Sequence, residues 1–384
     1  MVTREVDVVV AGGGVVGCAA ALALARRGAS VVLVEALPGL ALQASGTNSG
    51  MLHTGFDSTP GALETELILR AAPLRDPLLA ALGVPVLHCG AVMRPRDHDE
   101  LRRVDALEGT ARANGVDVAR GPDGELLVPG ESVTDPVALT LALAGAAIAA
   151  GAQVVVDTAV DGLERDGDAL VVRAGDLRLA ARALVNCAGL GADDIAGLAG
   201  DRSFAIYPRK GEFLVFDAPG TGPLESVRLP VPSATTKGIL LFPTVDGQII
   251  CGPTAHDQED EDDWSVRPEA ESALRDQLAL VRPDLAGVPP IGRYAGLRPA
   301  GVDANYIVGH SAACRGLVHA AAIRSTGLTA ALGIAERLCE LVAELGVAVV
   351  EPAPVGPGPP PPGIGLDGPW WQRTARFVAD RRGR

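Results

Sequence analysis

The sequence predicts an α/β fold, in which a helix-covered parallel sheet is combined with an inserted mixed β-sheet. Three observations predict it. A length of 384 residues is long for one hydrophobic core but suits two intertwined domains. Hydrophobic residues make up 48% of the chain and aromatic residues only 3%, so Ala, Val and Leu must build the core, as in a buried parallel sheet. Residues 5–35 also contain the pattern of a strand, a glycine turn, a helix and a second strand.

This first pattern predicts a βαβ unit. The apolar run over residues 5–11 is typical of a buried strand, residues 15–27 of an Ala-rich helix, and residues 30–35 of a second strand. The later elements predicted for the same domain are a helix over residues 136–150, strands over 153–156 and 183–187 with a small antiparallel excursion around 162–179, and a closing helix over 328–345.

The remaining segments carry strand patterns broken by Pro and Gly, at residues 212–216, 238–242 and 248–251, and these predict a separate mixed sheet. The resulting division of the chain is discontinuous. Residues 1–75, 133–204 and 291–348 are assigned to a nucleotide-binding domain, residues 76–132 and 205–290 to a substrate domain, and residues 349–384 to a Pro-rich linker with a basic, aromatic tail.

Charge and cysteine spacing exclude several classes of function. A formal net charge of -14 excludes nucleic acid as a partner, because an acidic protein repels a phosphate backbone. The six cysteines include no C-x-x-C pair, and the acidic run at 257–263 lacks metal-loop spacing, so no metal site is predicted. Without a leader pattern or an apolar run of about 20 residues, the chain is expected to be cytoplasmic.

A glycine motif lies between the first predicted strand and helix. Gly12, Gly14 and Gly17 form G-x-G-x-x-G, in which the first glycine turns the chain, the second lets the backbone approach a pyrophosphate, and the third allows close helix–strand packing. Glu35 ends the second strand, where a carboxylate accepts hydrogen bonds from ribose hydroxyls and disfavours a 2′-phosphate. The motif predicts a dinucleotide site but does not distinguish FAD from NAD.

Two further stretches resemble flavoprotein motifs. Residues 186–189, which include Ala188 and Gly189, resemble the second FAD fingerprint of the D-amino acid oxidase superfamily. Residues 45–55 resemble the flavin-contacting loop of anaerobic-type glycerol-3-phosphate dehydrogenases and L-2-hydroxyglutarate dehydrogenases or oxidases. The resemblance continues through residues 207–212, 295–299 and 323–329. It implies a Rossmann-type FAD-binding domain with an inserted mixed β-sheet substrate domain, and noncovalently held FAD.

The resemblance also implies which residues contact the cofactor. Gly327, Leu328 and Thr329 open the last predicted helix, whose N–H groups would face the pyrimidine end of the flavin. The full set of expected FAD-binding residues is Gly12, Gly14, Gly17, Glu35, Ser45, Asn48, Ser49, Gly50, Ala188, Gly189, Gly327, Leu328 and Thr329.

The candidate catalytic residues are His53, Arg298 and Arg324. His53 lies in the loop that the resemblance implies to be at the flavin, and an imidazole suits the base that removes a hydroxyl proton. Alternatively, it only hydrogen-bonds backbone or flavin, or carries the flavin covalently. Arg298 and Arg324 are expected to bind an anionic substrate, with Lys210 and Arg293 as further substrate-binding candidates; each could instead pair with a carboxylate or a backbone carbonyl.

The predicted function is an FAD-dependent oxidoreductase, a dehydrogenase or oxidase, that transfers a hydride from a small anionic hydroxy substrate to the flavin. A flavin amine or amino-acid oxidase and a catalytically silent, electron-relaying flavin subunit remain as alternatives, and the electron acceptor stays open. For the tail at residues 370–377, packing on its own domain or a neighbouring subunit is one alternative, and weak peripheral membrane contact is the other.

Overall fold

The computed structural model describes residues 3–167, 169–217, 222–233, 238–363 and 368–382, with only the backbone described for residues 379–382. In chain order, the strands are β1 (Arg4–Ala11), β2 (Val31–Val34), β3 (Met51–Leu52), β4 (Val86–Leu87), β5 (Ala91–Met93), β6 (Ala119–Arg120), β7 (Leu126–Val128), β8 (Ser132–Thr134), β9 (Gln153–Val155), β10 (Val160–Asp166), β11 (Ala169–Ala174), β12 (Leu177–Asn186), β13 (Ile206–Phe216), β14 (Val227–Leu229), β15 (Leu240–Pro243), β16 (Ile249–Gly252), β17 (His256–Asp257), β18 (Gly292–Gly301), β19 (Ile307–His310) and β20 (Leu317–Ala321). The α-helices are α1 (Val15–Ala25), α2 (Leu63–Leu82), α3 (His98–Ala113), α4 (Pro136–Ala149), α5 (Ala192–Leu198), α6 (Pro268–Val281), α7 (Gly327–Glu344) and α8 (Trp370–Arg382).

An eight-stranded sheet forms the nucleotide-type part of the molecule. Its centre is parallel: β1 pairs with both β2 and β12, β2 with β9, and β12 with β20. The hairpin of β10 and β11 extends β12 in the antiparallel sense, as the sequence predicts for this region. This architecture confirms the predicted α/β fold class.

The two faces of β1 are buried against different layers. Val8 and Val10 pack into a core with α1, α4 and α7, while Val9 and Ala11 pack on the opposite side with the strands of the antiparallel hairpin. Because side chains alternate along a strand, a run apolar at every position requires burial on both faces. The apolar N-terminal run therefore forms the central strand of this sheet.

A nine-stranded mixed sheet forms the second layer, in the order β17-β13-β16-β15-β14-β5-β7-β6, with β18 also paired to β13. β13 and β18 are antiparallel along their length, and β14 and β5 are parallel. β18 was expected within the nucleotide-type segment that starts at residue 291, but its pairing joins it to the nine-stranded sheet. We keep the division into two domains as a proposal, with β18 moved to the substrate part.

The C-terminal tail folds back onto the chain. α8 begins at Trp370, and the side chains of Trp370 and Trp371 are 4% and 3% exposed. Trp370 packs edge-on against Tyr294 of β18, with ring centroids 5.6 Å apart. These rings pack on their own chain, which is the first of the two alternatives for the tail. No helix in the described part of the chain has the length and apolarity to cross a membrane.

Candidate active site

Two positions, one in the turn between β1 and α1 and one in the first turn of α1, have room only for glycine. Gly12 has a φ of 110°, and a Cβ there would overlap the carbonyl oxygen of Cys187. A Cβ on Gly17 would overlap the carbonyl oxygen of Gly12. Gly14 precedes α1 in an extended conformation, and its Cβ would lie 3.1 Å from Ser45 Oγ. The turn thus brings bare backbone to the start of α1, the geometry that a pyrophosphate needs.

Glu35 follows β2 and is tied to the glycine turn. Its Oε2 accepts a hydrogen bond from the Gly13 N–H at 2.6 Å, and its Oε1 accepts one from the Leu37 N–H at 2.8 Å. Burial raises the pKa of the Glu35 carboxyl, although the backbone hydrogen bonds act in the opposite direction. The carboxylate is therefore fixed beside the turn before any ligand binds.

A first cavity of about 370 Å³ opens along this turn. Ser45 Oγ accepts the Val15 N–H at the start of α1, and Asn48 Oδ1 accepts the Gly50 N–H, each at 2.9 Å. The cavity is lined by nine of the expected cofactor residues: Gly12, Gly14, Glu35, Ser45, Asn48, Ala188, Gly189, Gly327 and Leu328.

Four expected cofactor residues do not line this cavity. Ser49 lines the second cavity instead. Gly17 and Gly50 are packing positions: a Cβ on Gly50, where φ is 76°, would overlap the Thr134 carbonyl oxygen. Thr329 is buried, and its Oγ1 accepts the His53 N–H at 3.0 Å. Thr329 therefore joins the first turn of α7 to the His53 loop.

A second cavity of about 380 Å³ adjoins the first, because Ala44, Asn48 and Arg324 line both. Its walls come from the nine-stranded sheet and from residues 44–58. His53 and Arg298 line this second cavity. The structure thus brings together the three candidate catalytic residues His53, Arg298 and Arg324 at one cavity.

His53 is held by a glutamate that the sequence did not reveal. Its Nδ1 lies 3.0 Å from Glu131 Oε2, and the Glu131 side chain has no exposed surface. The other oxygen, Oε1, accepts hydrogen bonds from the N–H and the hydroxyl of Thr54 at 2.7 and 2.9 Å. Arg75 donates to the His53 carbonyl at 3.0 Å. Both the ring and the backbone of His53 are therefore fixed.

Arg298 is anchored by backbone carbonyls. Its Nε donates to Arg209 O at 3.1 Å, and its Nη2 donates to Lys210 O and Thr254 O at 3.0 and 2.7 Å. Burial, with repulsion from Arg209 and Arg324, lowers the pKa of Arg298 to about 10. The guanidinium is oriented by neutral acceptors, so its charge is not cancelled by them.

Arg324 differs from Arg298 in its surroundings. It is exposed and lines both cavities. Within the described ranges it forms no hydrogen bond and no ion pair. It is therefore a cation available to a ligand at the junction of the two cavities.

A sequence model of the family described as FAD dependent oxidoreductase matches residues 7–341. The chain belongs to this family. Its cofactor is FAD, and it is an enzyme that oxidises or reduces its substrate through that cofactor.

Two curated relatives and one solved structure resemble this oxidoreductase. Glycerol 3-phosphate dehydrogenase of Caloramator mitchellensis is 26% identical over 347 residues, 85% of this chain and 72% of the relative. Mitochondrial L-2-hydroxyglutarate dehydrogenase of Mus musculus is 30% identical over 276 residues, 64% of this chain and 59% of the relative. The dithionite-reduced L-α-glycerophosphate oxidase of Mycoplasma pneumoniae with FAD bound superposes with a TM-score of 0.83 at 25% identity, covering 95% of this chain and 100% of that one.

The first cavity of the oxidoreductase fits FAD. The glycine turn offers backbone that a Cβ would obstruct, and Glu35 stands beside it at the end of β2. The N-terminus of α1 faces the same cavity through Gly14 and Val15, where the positive end of the helix dipole favours a pyrophosphate. The backbone N–H groups of the turn and the Glu35 carboxylate are therefore the donors and the acceptor that FAD, the cofactor of this family, requires.

The structure places two of the predicted substrate contacts of the oxidoreductase outside both described cavities. Lys210 is fully buried, and its Nζ donates to Asp263 Oδ2 at 2.6 Å. Arg293 is exposed and pairs with Glu271 at 2.8 Å. Neither lines a described cavity. Along β13 the side chains alternate, so Arg209, next to Lys210, is the cation of this strand that lines the second cavity.

Three residues of the acidic run at residues 257–263 contact either β13 or the first cavity. Asp257 pairs with Arg209 at 2.8 Å, and Asp263 pairs with Lys210. Between them, Glu261 lines the first cavity, and burial together with repulsion from Asp194 raises its pKa. Glu261 thus lines the first cavity and Asp257 pairs with a residue that lines the second, while the run itself is exposed or half-buried.

Proposed function

We propose that this oxidoreductase oxidises a small anionic alcohol, of the glycerol 3-phosphate or L-2-hydroxy acid class. One observation carries the proposal. The second cavity is lined by an imidazole backed by a buried carboxylate, and by two arginines, Arg298 and Arg324, that form no carboxylate ion pair in the described part of the chain. Two relatives are named for glycerol 3-phosphate and L-2-hydroxyglutarate. Both compounds are anions, which agrees with the positive charge of the two arginines.

His53 is the proposed general base. With Nδ1–H donating to the Glu131 carboxylate, the lone pair of the neutral ring lies on Nε2, which takes the hydroxyl proton of the substrate. The buried carboxylate holds the neutral ring in this tautomer and orientation, and it stabilises the imidazolium that forms. Bound FAD supplies the acceptor for the hydride that leaves the carbon bearing this hydroxyl.

Arg298 and Arg324 are the proposed anion-binding groups. Three carbonyls fix Arg298, so little side-chain entropy is lost when it donates to a phosphate or carboxylate. Arg324 contributes a second charge without first breaking an ion pair in the described ranges. The net charge of -14 acts at long range and is screened within about 8 to 10 Å, whereas these contacts are direct.

The start of α7 is the proposed contact for the electron-rich end of FAD. Gly327 and Leu328 line the first cavity at the positive end of this helix. Their N–H groups are among those that an α-helix leaves without internal partners, so they suit an acceptor atom of the cofactor.

A cytoplasmic location remains a prediction for this enzyme.

The proposal is tested by anaerobic mixing of the purified yellow protein with matched pairs of compounds. Glycerol 3-phosphate is compared with glycerol, which lacks the anion, and L-2-hydroxyglutarate with L-glutamate, which replaces the hydroxyl by an amine. We expect glycerol 3-phosphate, L-2-hydroxyglutarate or both to bleach the flavin. The matched control, glycerol or L-glutamate, should bleach it slowly or not at all. Bleaching by L-glutamate alone would support an amino-acid oxidase. A flavin that no compound bleaches would support a silent subunit.

The same sample distinguishes an oxidase from a dehydrogenase. After bleaching by the substrate, oxygen is admitted and the return of the oxidised flavin spectrum is followed. Rapid return assigns oxygen as the acceptor, and slow return that a quinone accelerates assigns a quinone-type acceptor.

A further inference from the structure

The chain beyond α7 wraps around the molecule. Val350 N–H donates to Arg27 O at 3.1 Å, and Ala353 N–H donates to Arg26 O at 2.8 Å, which ties this segment to the end of α1. Further on, Gly358 crosses α4 so closely that a Cβ there would overlap the Gly145 carbonyl. We call residues 350–363 and 368–378 the C-terminal strap.

Arg373 joins the C-terminal strap to the wall of the first cavity. This side chain is only 6% exposed, and its Nη1 donates to Leu40 O at 2.5 Å and to Ala41 O at 3.2 Å. Ala41 has a φ of 55°, a left-handed conformation that is unfavourable for a residue with a Cβ. Ala41 and the four residues after it line the first cavity. The arginine therefore holds a strained turn that forms part of the cofactor wall.

The rest of α8 fixes the position of Arg373. A Cβ on Gly46 would lie 2.8 Å from Thr374 Oγ1, so the helix packs directly on the end of the same wall segment. On the other side, Trp371 Nε1 donates to Gln248 Oε1 at 2.9 Å, beside β16 of the nine-stranded sheet. The helix thus bridges the nine-stranded sheet and the segment that lines the FAD cavity.

We infer that Arg373 is a positioning residue for FAD, and that the C-terminal strap is part of the cofactor site. Among the described residues, no backbone N–H donates to the carbonyls of Leu40 and Ala41, and Arg373 donates to both. Because Arg373 is only 6% exposed, water has little access to compete for these bonds. Because coupling between two sites is reciprocal, FAD must tighten the strap by the same factor by which the strap tightens FAD. The inference requires FAD binding but no particular substrate.

The first test is titration of apoprotein with FAD, followed by quenching of flavin fluorescence. We expect Arg373→Met to raise the dissociation constant for FAD about 10-fold or more, the scale of a lost charged hydrogen bond. Arg373→Lys should recover part of the affinity, because an ammonium can donate to the same carbonyls. The matched control is Arg376→Met on the exposed side of α8, which should bind FAD as the parent does. Parental affinity in Arg373→Met, or equal weakening in both Met variants, would overturn the inference.

The second test uses the parent protein and does not depend on the folding of a variant. Amide hydrogen exchange is measured with and without FAD over residues 40–46 and 370–374. We expect FAD to slow exchange in both segments, and not in α3, which lines neither described cavity. Slower exchange in residues 40–46 alone, with α8 unaffected, would contradict a strap that acts on the cofactor wall.

Discussion

The imidazole Nδ1 of His53 lies 3.0 Å from Oε2 of Glu131, a carboxylate with no exposed surface. Glu131 follows β7 and precedes β8, so the segment that leaves the nine-stranded sheet supplies the partner of a histidine in the flavin-side loop. A buried carboxylate with three hydrogen-bonding contacts is a rigid support. This pair gives the proposed base a fixed orientation.

Replacing Glu131 by Gln should slow flavin reduction without loss of FAD. The amide keeps the volume but removes the charge that stabilises the protonated ring, so we expect a rate about 10-fold lower or more. The measurement is anaerobic stopped-flow reduction at several substrate concentrations, in which the limiting rate falls while the substrate affinity is retained. Glu125→Gln, at the residue directly before β7 and paired with Arg94, is the control. Parental limiting rates in Glu131→Gln would remove the glutamate from the mechanism.

Gly14→Val should abolish FAD retention. The Cβ alone would lie 3.1 Å from Ser45 Oγ, and the branched side chain would extend into the first cavity, where the pyrophosphate is expected. The flavin content of the purified protein is measured from its absorbance spectrum. Gly109→Val, at a helical position where a Cβ meets nothing within 4 Å, should keep its flavin. Normal flavin content in Gly14→Val would mean that the cofactor lies elsewhere.

Arg324→Met should weaken the binding of an anionic substrate and leave FAD bound. The loss of a direct charged contact at a partly solvated site is expected to raise the half-saturating concentration about 10-fold or more. Arg298→Met should have a similar effect on the substrate, with an added loss of stability, because three carbonyls lose their donor. Arg293→Met, outside both described cavities, is the control. If Arg324→Met and Arg298→Met both match the parent at low substrate, the substrate is not held as an anion.

The ion pair of Asp263 and Lys210 should make the fold sensitive to acid. Burial raises the pKa of Asp263, but hydrogen bonds from Lys210 and Ser265 outweigh it and lower the pKa to about 2 from an ordinary 3.8. A depressed pKa in the folded state contributes stability above about pH 4, and this contribution is lost as the pH falls towards 2. We therefore expect Asp263→Asn to unfold at a lower temperature than the parent at neutral pH. Between about pH 4 and pH 2 the variant should lose less stability than the parent does. Thermal unfolding curves for the parent, Asp263→Asn and the exposed control Asp260→Asn check this; parallel curves for the parent and Asp263→Asn would contradict it.

The nucleotide half of the fold could be predicted because its signals are local. The apolar run of β1 and the glycines before α1 are adjacent in sequence, and each position has one physical requirement. The predicted strand, helix and second strand all occur, with bounds that differ by a few residues. Glu35 was identified for the same reason, because it ends the strand that must follow.

The substrate half could be predicted only in part. Glu131 lies 78 residues from His53 in the sequence, and nothing in its turn marks it as the partner of a histidine. Lys210 was a predicted substrate contact, but it lies on the opposite face of β13 from the second cavity, which Arg209 lines. The sequence pattern does not reveal which face borders the cavity, and a shift of one residue exchanges the faces. The return of Arg373 to residues 40–46 depends on long-range packing of α8, which its basic, aromatic composition does not determine.

The measurement that tests the central claim most directly is the single-turnover rate of anaerobic flavin reduction in the parent and in His53→Ala, with the hydroxy acid or polyol phosphate that bleaches the parent fastest. If His53 removes the hydroxyl proton, the variant keeps its FAD and is reduced about 100-fold more slowly or worse. Equal rates in the two proteins, at equal flavin content, would contradict general-base catalysis by His53.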